Sequence, residues 1–556
     1  MRPTLHLLLP VAAITLALAS LHAPAQDSRL PDIGSSAGGV LGPAQQREYG
    51  RMMLAQLRHY GYVLEDPLVD GWLRSLGSRL ASASDDPEQS FTFFMLNDRE
   101  VNAFATVGGY IGTNAGLVLT AQSEDEVAAV LAHEIAHVTQ EHVLRSVERA
   151  QKDSVPILLA MLGAIALASQ SDSRSGDNAA MAAVAGAQGL MVQRQIDYTR
   201  SNESEADRIG IRTLDRGGYD PDAMAAMFER MQALLRTNQG GARERAPDYL
   251  KTHPVTATRI SEAKQRAEKL AEGKVRVTTA TTTPEGGRIE NVQRIDRSLL
   301  GAPGSPWSSE NPLLPSSLRL PGDALAQGGS GHFGWARERL RVLSAITPDA
   351  AIREYERTRS GSGEFSDAQA YGLALARLLD GQGAAAAAEL KPLLARHPGD
   401  VWVSLALAQA EARAGQLAAA DARFEALVDR MPGNRAVTLT YAGVLGERNT
   451  AEAGRRAQAI LRPLAASSGD DPVFQRTFAR ASEIAGDTAR AGEAWAEAAY
   501  LSGRPEQALV QLNTLRKRDD LDYYARARID ARIAAITPTV LELKRQGIRD
   551  EDLHRR

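Results

Sequence analysis

Ser123-Glu124-Asp125-Glu126-Val127-Ala128-Ala129-Val130-Leu131-Ala132-His133-Glu134-Ile135-Ala136-His137-Val138 is the stretch on which the fold and chemistry of this 556-residue chain turn. Ser123 followed three residues later by Glu126 is capping-box chemistry, so a helix begins here. Val127, Leu131, Ile135 and Val138 recur at helical spacing and form a buried stripe. His133 and His137 are four apart, about 40° around a helix, so both rings point the same way. Measured from Leu131, His133 is turned by roughly 200°, toward the opposite side. The helix reads as a wall between a core and a cleft. With 10 His in the chain, H-E-x-x-H has a chance expectation of about 0.01 occurrences. Two imidazoles on one helix face fit a tetrahedral zinc. Glu134 is displaced sideways and suits holding a metal-bound water rather than the metal itself. The plainer alternative is a helix with two surface histidines.

A third protein ligand is needed, and no third histidine follows closely. Glu203-Ser-Glu-Ala-Asp207 lies downstream in a helical run that ends at Gly217-Gly218. Glu203 could complete a two-His, one-Glu site with one position open to water. Asp207, one turn later, could accept the remaining ring N–H of a histidine ligand. The spacing fits a charged helix face equally well. Glu205 points about 200° away from Glu203 and reads as solvated. His142, counted as the same helix continuing, falls about 180° from His133 and reads as exposed. His253 precedes Pro254 at the start of another helical segment, Ala257–Lys269. It is either a helix-start residue, a ligand closing the open position, or a donor to a tetrahedral oxyanion.

The composition is ordinary for a globular protein, with 44% hydrophobic and 24% charged residues. The chain has no cysteine, which excludes disulfides, thiol catalysis and cysteine-held metals. Lys+Arg number 64 against 68 Asp+Glu, a formal charge of -4. That balance argues against a nucleic-acid partner. Residues 1–25 read as a signal peptide: Arg2, an apolar Leu7–Leu21, and Ala23-Pro24-Ala25 as cleavage site. The chain is therefore expected to be exported, cleaved near Ala25 and soluble in a periplasm.

Beyond the leader, residues 26–275 form the domain that holds the motifs. Phe91–Leu96, Val101–Thr106 and Tyr110–Thr113 read as three short strands of a small meander, with Gly108-Gly109 as a turn. Met224, Met227 and Met231 read as a core stripe. Two apolar segments, 155–168 and 179–191, read as core helices, or as a hairpin that forms a lid over the cleft or touches a membrane surface. Residues 276–335, rich in Thr, Pro, Gly and Ser, read as a linker. From 336 to 556 the chain is helical and repetitive. Ala374, Gly381, Ala386, Leu390 and Pro398 are repeated 34 residues later as Ala408, Gly415, Ala420, Phe424 and Pro432. Ala479, Gly486, Ala491 and Trp495 continue the series, while 435–471 fit it poorly. This is the tetratricopeptide period, and such arrays form concave surfaces for proteins.

His133-Glu-Ile-Ala-His137 with Glu203-x-Glu-Ala-Asp207 resembles the zinc metallopeptidase family that contains the prenyl-protein (CAAX) proteases and the heat-shock membrane protease. Asn102-Ala-Phe, Gly108-Gly109 and Thr252-His253-Pro254 are similar to its soluble bacterial branch, which adds a signal peptide and a C-terminal repeat domain. The resemblance implies a mainly α, gluzincin-type peptidase domain followed by the repeat array, with one zinc per chain. It implies His133, His137 and Glu203 as ligands, Glu134 as base, Asp207 behind a ligand, and His253 near the metal. Asn102, Ala103 and Phe104 would belong to an edge strand on which an extended substrate adds a strand. Outer-membrane β-barrel proteins, misfolded or stalled, would be substrates, and the barrel-assembly machinery a partner through the repeats. Membrane contact would be peripheral at most. A different reading is an assembly chaperone or adaptor whose peptidase site is mostly latent.

Overall fold

The computed structural model describes residues 42–146, 148–149, 174–238, 249–250, 253–272, 274–282, 288–296, 330–362 and 365–545. The expected leader 1–25 and the apolar segment 155–168 lie outside the described residues. The peptidase-like part contains α1 (Pro43–His59), α2 (Pro67–Ser82), β1 (Thr92–Leu96), β2 (Ala103–Thr106), β3 (Tyr110–Asn114), α3 (Ala115–Thr120), α4 (Glu124–Thr139), α5 (Arg174–Arg216), α6 (Asp222–Asn238) and α7 (Ala257–Ala271). Segment 179–191 lies within α5, and no described helix is long and apolar enough to cross a membrane.

Helix α4 runs through the centre. Every residue from Glu126 to His137 is buried, and only the C-terminal end of the helix, at His137, Val138 and Thr139, lines a cavity. Ser123 Oγ accepts the Glu126 amide at 3.3 Å, as an N-cap does. The Glu126 carboxylate accepts the Gln122 amide and pairs with Arg230 at 2.9 Å. The predicted stripe is present: Val127, Leu131 and Ile135 are fully buried beside Leu73, Leu76 and Leu80 of α2. Met224, Met227 and Met231 of α6 join the same core.

The three expected strands form one sheet, but their order is β1-β3-β2 rather than sequential. β1 pairs parallel with β3, Thr92 opposite Tyr110. β2 folds back antiparallel on the other side of β3, Ala103 opposite Thr113, and is left as the edge. The turn between β2 and β3 needs glycine. Gly108 and Gly109 have φ of 79° and 80°, and a Cβ on Gly109 would sit 2.0 Å from the Ser90 carbonyl. A linker was expected from 276, but Lys274–Thr282 and Arg288–Asp296 (β4 and β5) pair as an antiparallel hairpin. Their Val, Thr and Ile residues supply the strand propensity that the polar composition obscures.

The C-terminal part begins with α8 (Phe333–Leu343) and continues as helix pairs. First helices of successive pairs start at Asp367, Val401, Arg435 and Pro472, spacings of 34, 34 and 37 residues. The longer step holds an extra 3-10 turn, Arg462–Leu464, which explains why 435–471 lose the period. Gly381, Gly415 and Gly486 all have positive φ where first helices end, as helix-terminating glycines do. Ala374, Ala408, Ala386 and Ala420 are fully buried, and Leu390 and Phe424 fill the space beside them. Trp495, at the matching position, is 37% exposed instead.

The array is joined to the start of α2 by one buried ion pair, with more exposed pairs around it. Asp66 caps α2 by accepting the Val69 amide at 3.1 Å and also accepts Arg339 Nε and Nη2 at 2.7 and 2.6 Å. Arg435 reaches Asp70 and Asp471, Arg476 reaches Glu65, and Arg99 pairs with Glu354. Burial alone would raise the Asp66 pKa, but the Arg339 charge and hydrogen bonds outweigh it and hold the carboxyl below its ordinary value. Asp66→Ala should therefore destabilise the full chain by about 3–5 kcal/mol, because Arg339 is left buried and unpaired. A urea unfolding curve reads this loss. The folded pKa lies below the unfolded one, so the contribution is complete above about pH 4 and is lost on further acidification. The gap between wild type and variant should narrow accordingly.

Candidate metal centre

Helices α4 and α5 cross where His133, Glu134 and His137 face Glu203 and Asp207. The crossing is close because α5 carries Gly210, whose Cβ position lies 3.1 Å from the His133 backbone. His253 enters from the segment before α7. Its amide donates to the Tyr249 carbonyl at 2.7 Å, and its ring stacks on that of Tyr249 with centroids 4.7 Å apart.

Four side chains converge. His133 Nε2 lies 3.0 Å from His137 Nε2, 3.5 Å from Glu203 Oε2 and 3.4 Å from His253 Nδ1. His137 Nε2 lies 3.3 Å from Glu203 Oε1, and His253 Nδ1 2.8 Å from that same oxygen. Tetrahedral ligands about 2.05 Å from zinc are separated from one another by about 3.3 Å. The donors therefore already stand near the edges of such a tetrahedron, and all four lie within 4.8 Å of one another. Charge agrees with geometry. Glu134, Glu203 and Asp207 face a single Arg259 among these groups, which leaves two formal negative charges for a dication to balance. The residues fit a zinc ion.

The surrounding groups hold the donors in place. Asp207 Oδ1 is 2.9 Å from His133 Nδ1, short enough for the ring N–H although off the ideal hydrogen-bond line. Arg259 donates to both oxygens of Asp207 at 2.7 and 2.8 Å, lies 2.8 Å from Glu203 Oε2, and covers the Phe228 ring. Burial opposes charge on His133, but Asp207 and Glu203 prevail and push its pKa up to about 10. His137, where burial dominates, falls to about 3. Burial raises Glu203, but its three histidine neighbours hold it well below the carboxylate range. Metal-free, the cluster thus carries a proton on His133, and a dication would take its place.

His133, His137 and Glu203 are brought together, Asp207 Oδ1 stands 2.9 Å from His133 Nδ1, and Glu134 Oε1 lies 3.8 Å from His253 Nε2. Asn102, Ala103 and Phe104 lie at the start of edge strand β2. A cavity of ≈ 600 Å³ runs from Thr106 and Val107 at the strand's end to His137 and Arg145. Two expectations are corrected. His142 is 2% exposed rather than on the surface. Helix α4 ends at Thr139, and Glu141 has φ of 51°, so a uniform helical count cannot be carried past it. Glu205 is not free in solvent. It accepts from His142 at 3.2 Å and Arg145 at 3.3 Å. Arg259 was missed altogether. Its signal was a lone cation beside Ile260, Ala263 and Ala267 on the buried face of α7.

Residues 67–267 match the model of peptidase family M48, and 377–442 a tetratricopeptide repeat model. A putative beta-barrel assembly-enhancing protease of Vibrio cholerae is 41% identical over 256 residues, 46% of this chain and 51% of that one. The chain thus spans about half the length of that relative. The beta-barrel assembly-enhancing protease of Yersinia pestis is 30% identical over 513 residues, 92% of each chain. The mitochondrial metalloendopeptidase OMA1 of Schizosaccharomyces pombe is 28% identical over 182 residues, 33% of this chain and 48% of that one.

Asp207→Asn should weaken zinc retention about 10–100-fold, the usual cost of losing a ligand's outer partner. Chelator competition on the full-length protein measures it, and unchanged far-UV circular dichroism shows that the helices remain.

Proposed function

This chain belongs to peptidase family M48, and on that premise we propose that it is an exported zinc endopeptidase of outer-membrane protein quality control. The observation that carries this reading is the four-donor cluster with Glu134 beside it. His133, His137 and Glu203 hold the zinc, one per chain. When bound, zinc supplies a Lewis acid for the scissile carbonyl and makes water more acidic. Glu134 Oε1 is buried and lacks a hydrogen-bond partner among the described residues, so it is available to take the proton of the attacking water. It then delivers that proton to the leaving amine. Among the described strands β2 stands at an edge of its sheet, and the strand at Asn102, Ala103 and Phe104 is read as the one beside which an extended substrate pairs. An unfolded strand of a β-barrel protein suits such an edge.

His253 is read as a fourth ligand in the resting protein. Its Nδ1 stands in the donor set while Nε2 is 3.8 Å from Glu134 Oε1. A ring there denies water its position. That observation also favours the second reading, an assembly chaperone or adaptor whose site is mostly latent. In both, the leader directs the chain to the periplasm, with cleavage near Ala25, and the repeats dock the barrel-assembly machinery.

Glu134→Gln should retain zinc and lose at least about 100-fold in the rate of cleaving an unfolded outer-membrane barrel protein. Equal rates would refute the peptidase reading. His253→Ala should cleave faster than wild type, because a position opens. A slower variant would instead assign His253 to stabilising the oxyanion.

A further inference from the structure

Behind His137 lies a second histidine that the proposed reaction does not use. His137 turns Nε2 toward the ligand cluster, so its ring proton belongs on Nδ1, and a buried N–H needs an acceptor. The group facing it is His142 Nδ1, at 2.8 Å. His142 can accept there only if its own proton is on Nε2. Nε2 faces Glu205 Oε2 at 3.2 Å, and a carboxylate is an acceptor only. Glu205 is in turn paired with Arg145 at 3.3 Å and Arg208 at 3.7 Å. Reading outward from the cluster, every proton in the series has one consistent place. The left-handed backbone at Glu141, uncommon for a residue with a side chain, turns His142 back onto His137. The two rings meet edge to face with centroids 4.8 Å apart.

We propose that His142, oriented by Glu205 and Arg145, is a positioning residue that fixes the tautomer of His137 and so directs the His137 Nε2 lone pair at the metal. His133 has Asp207 for this purpose. The second ligand uses a neutral imidazole relayed to a carboxylate. Charge is thereby kept away from His137, and the anchor is placed at the rim of the cavity that Arg145 lines. The inference rests on His137 being a metal ligand, which zinc stoichiometry of the wild-type protein tests separately.

The experiment measures zinc affinity of the full-length protein by chelator competition, together with the visible spectrum of the cobalt-substituted form. His142→Phe keeps the ring volume and removes the acceptor, and should weaken zinc about 10–100-fold and shift the cobalt bands. His142→Asn retains an acceptor near the Nδ1 position and should recover most of the affinity. Glu205→Gln removes the charge that orients His142 and should fall between wild type and His142→Phe. Should His142→Phe fail to fold, the other two variants decide. Wild-type affinity in Glu205→Gln overturns the proposal, as does wild-type affinity in His142→Phe. Equal loss in His142→Asn and His142→Phe also overturns it, because packing alone would then explain both.

Discussion

Everything in the peptidase-like part answers to one constraint: α4 is buried from Glu126 to His137 and yet carries two imidazoles and a carboxylate there. Groups of that kind are costly to remove from water unless each has a partner. The structure supplies partners from elements that are distant in sequence. Asp207 stands behind His133, Arg259 behind Asp207 and Glu203, and His142 behind His137. Helices α5 and α7 are therefore not merely packed against α4. Their positions are set by the need to satisfy it, and Gly210 is small because the approach must be close.

The central features were legible because they are local. Four-residue spacing on a capped helix is enough to align His133 with His137, and the 34-residue period is enough to place paired helices with buried Ala and terminal Gly. Sequence logic failed where a single backbone angle or a long-range contact decides. One positive φ at Glu141 breaks the helical count, and His142 moves from the surface to the interior. Arg259 and Asp207 meet only through the tertiary fold. The strand order is likewise set by packing, since hydrophobic alternation specifies strands but not their neighbours.

The fit between motif and setting also bears on the expected latency. Glu203 is shared among three histidines, and His253 is the one closest to it, at 2.8 Å. His133 and His137 sit on a rigid buried helix. His253 sits ahead of Pro254, outside any helix, with its ring resting on Tyr249. Of the four donors it is the one whose departure disturbs the core least.

The Asp66 carboxylate has a wider consequence. It starts α2 and also receives Arg339 from the array, so one carboxylate, with Oδ1 shared, serves local helix formation and the seating of the array. Neither partner can be exchanged alone without stranding a buried charge. The residue that caps α2 thus couples the start of that helix to the seating of the array, so a change at either site is felt at the other.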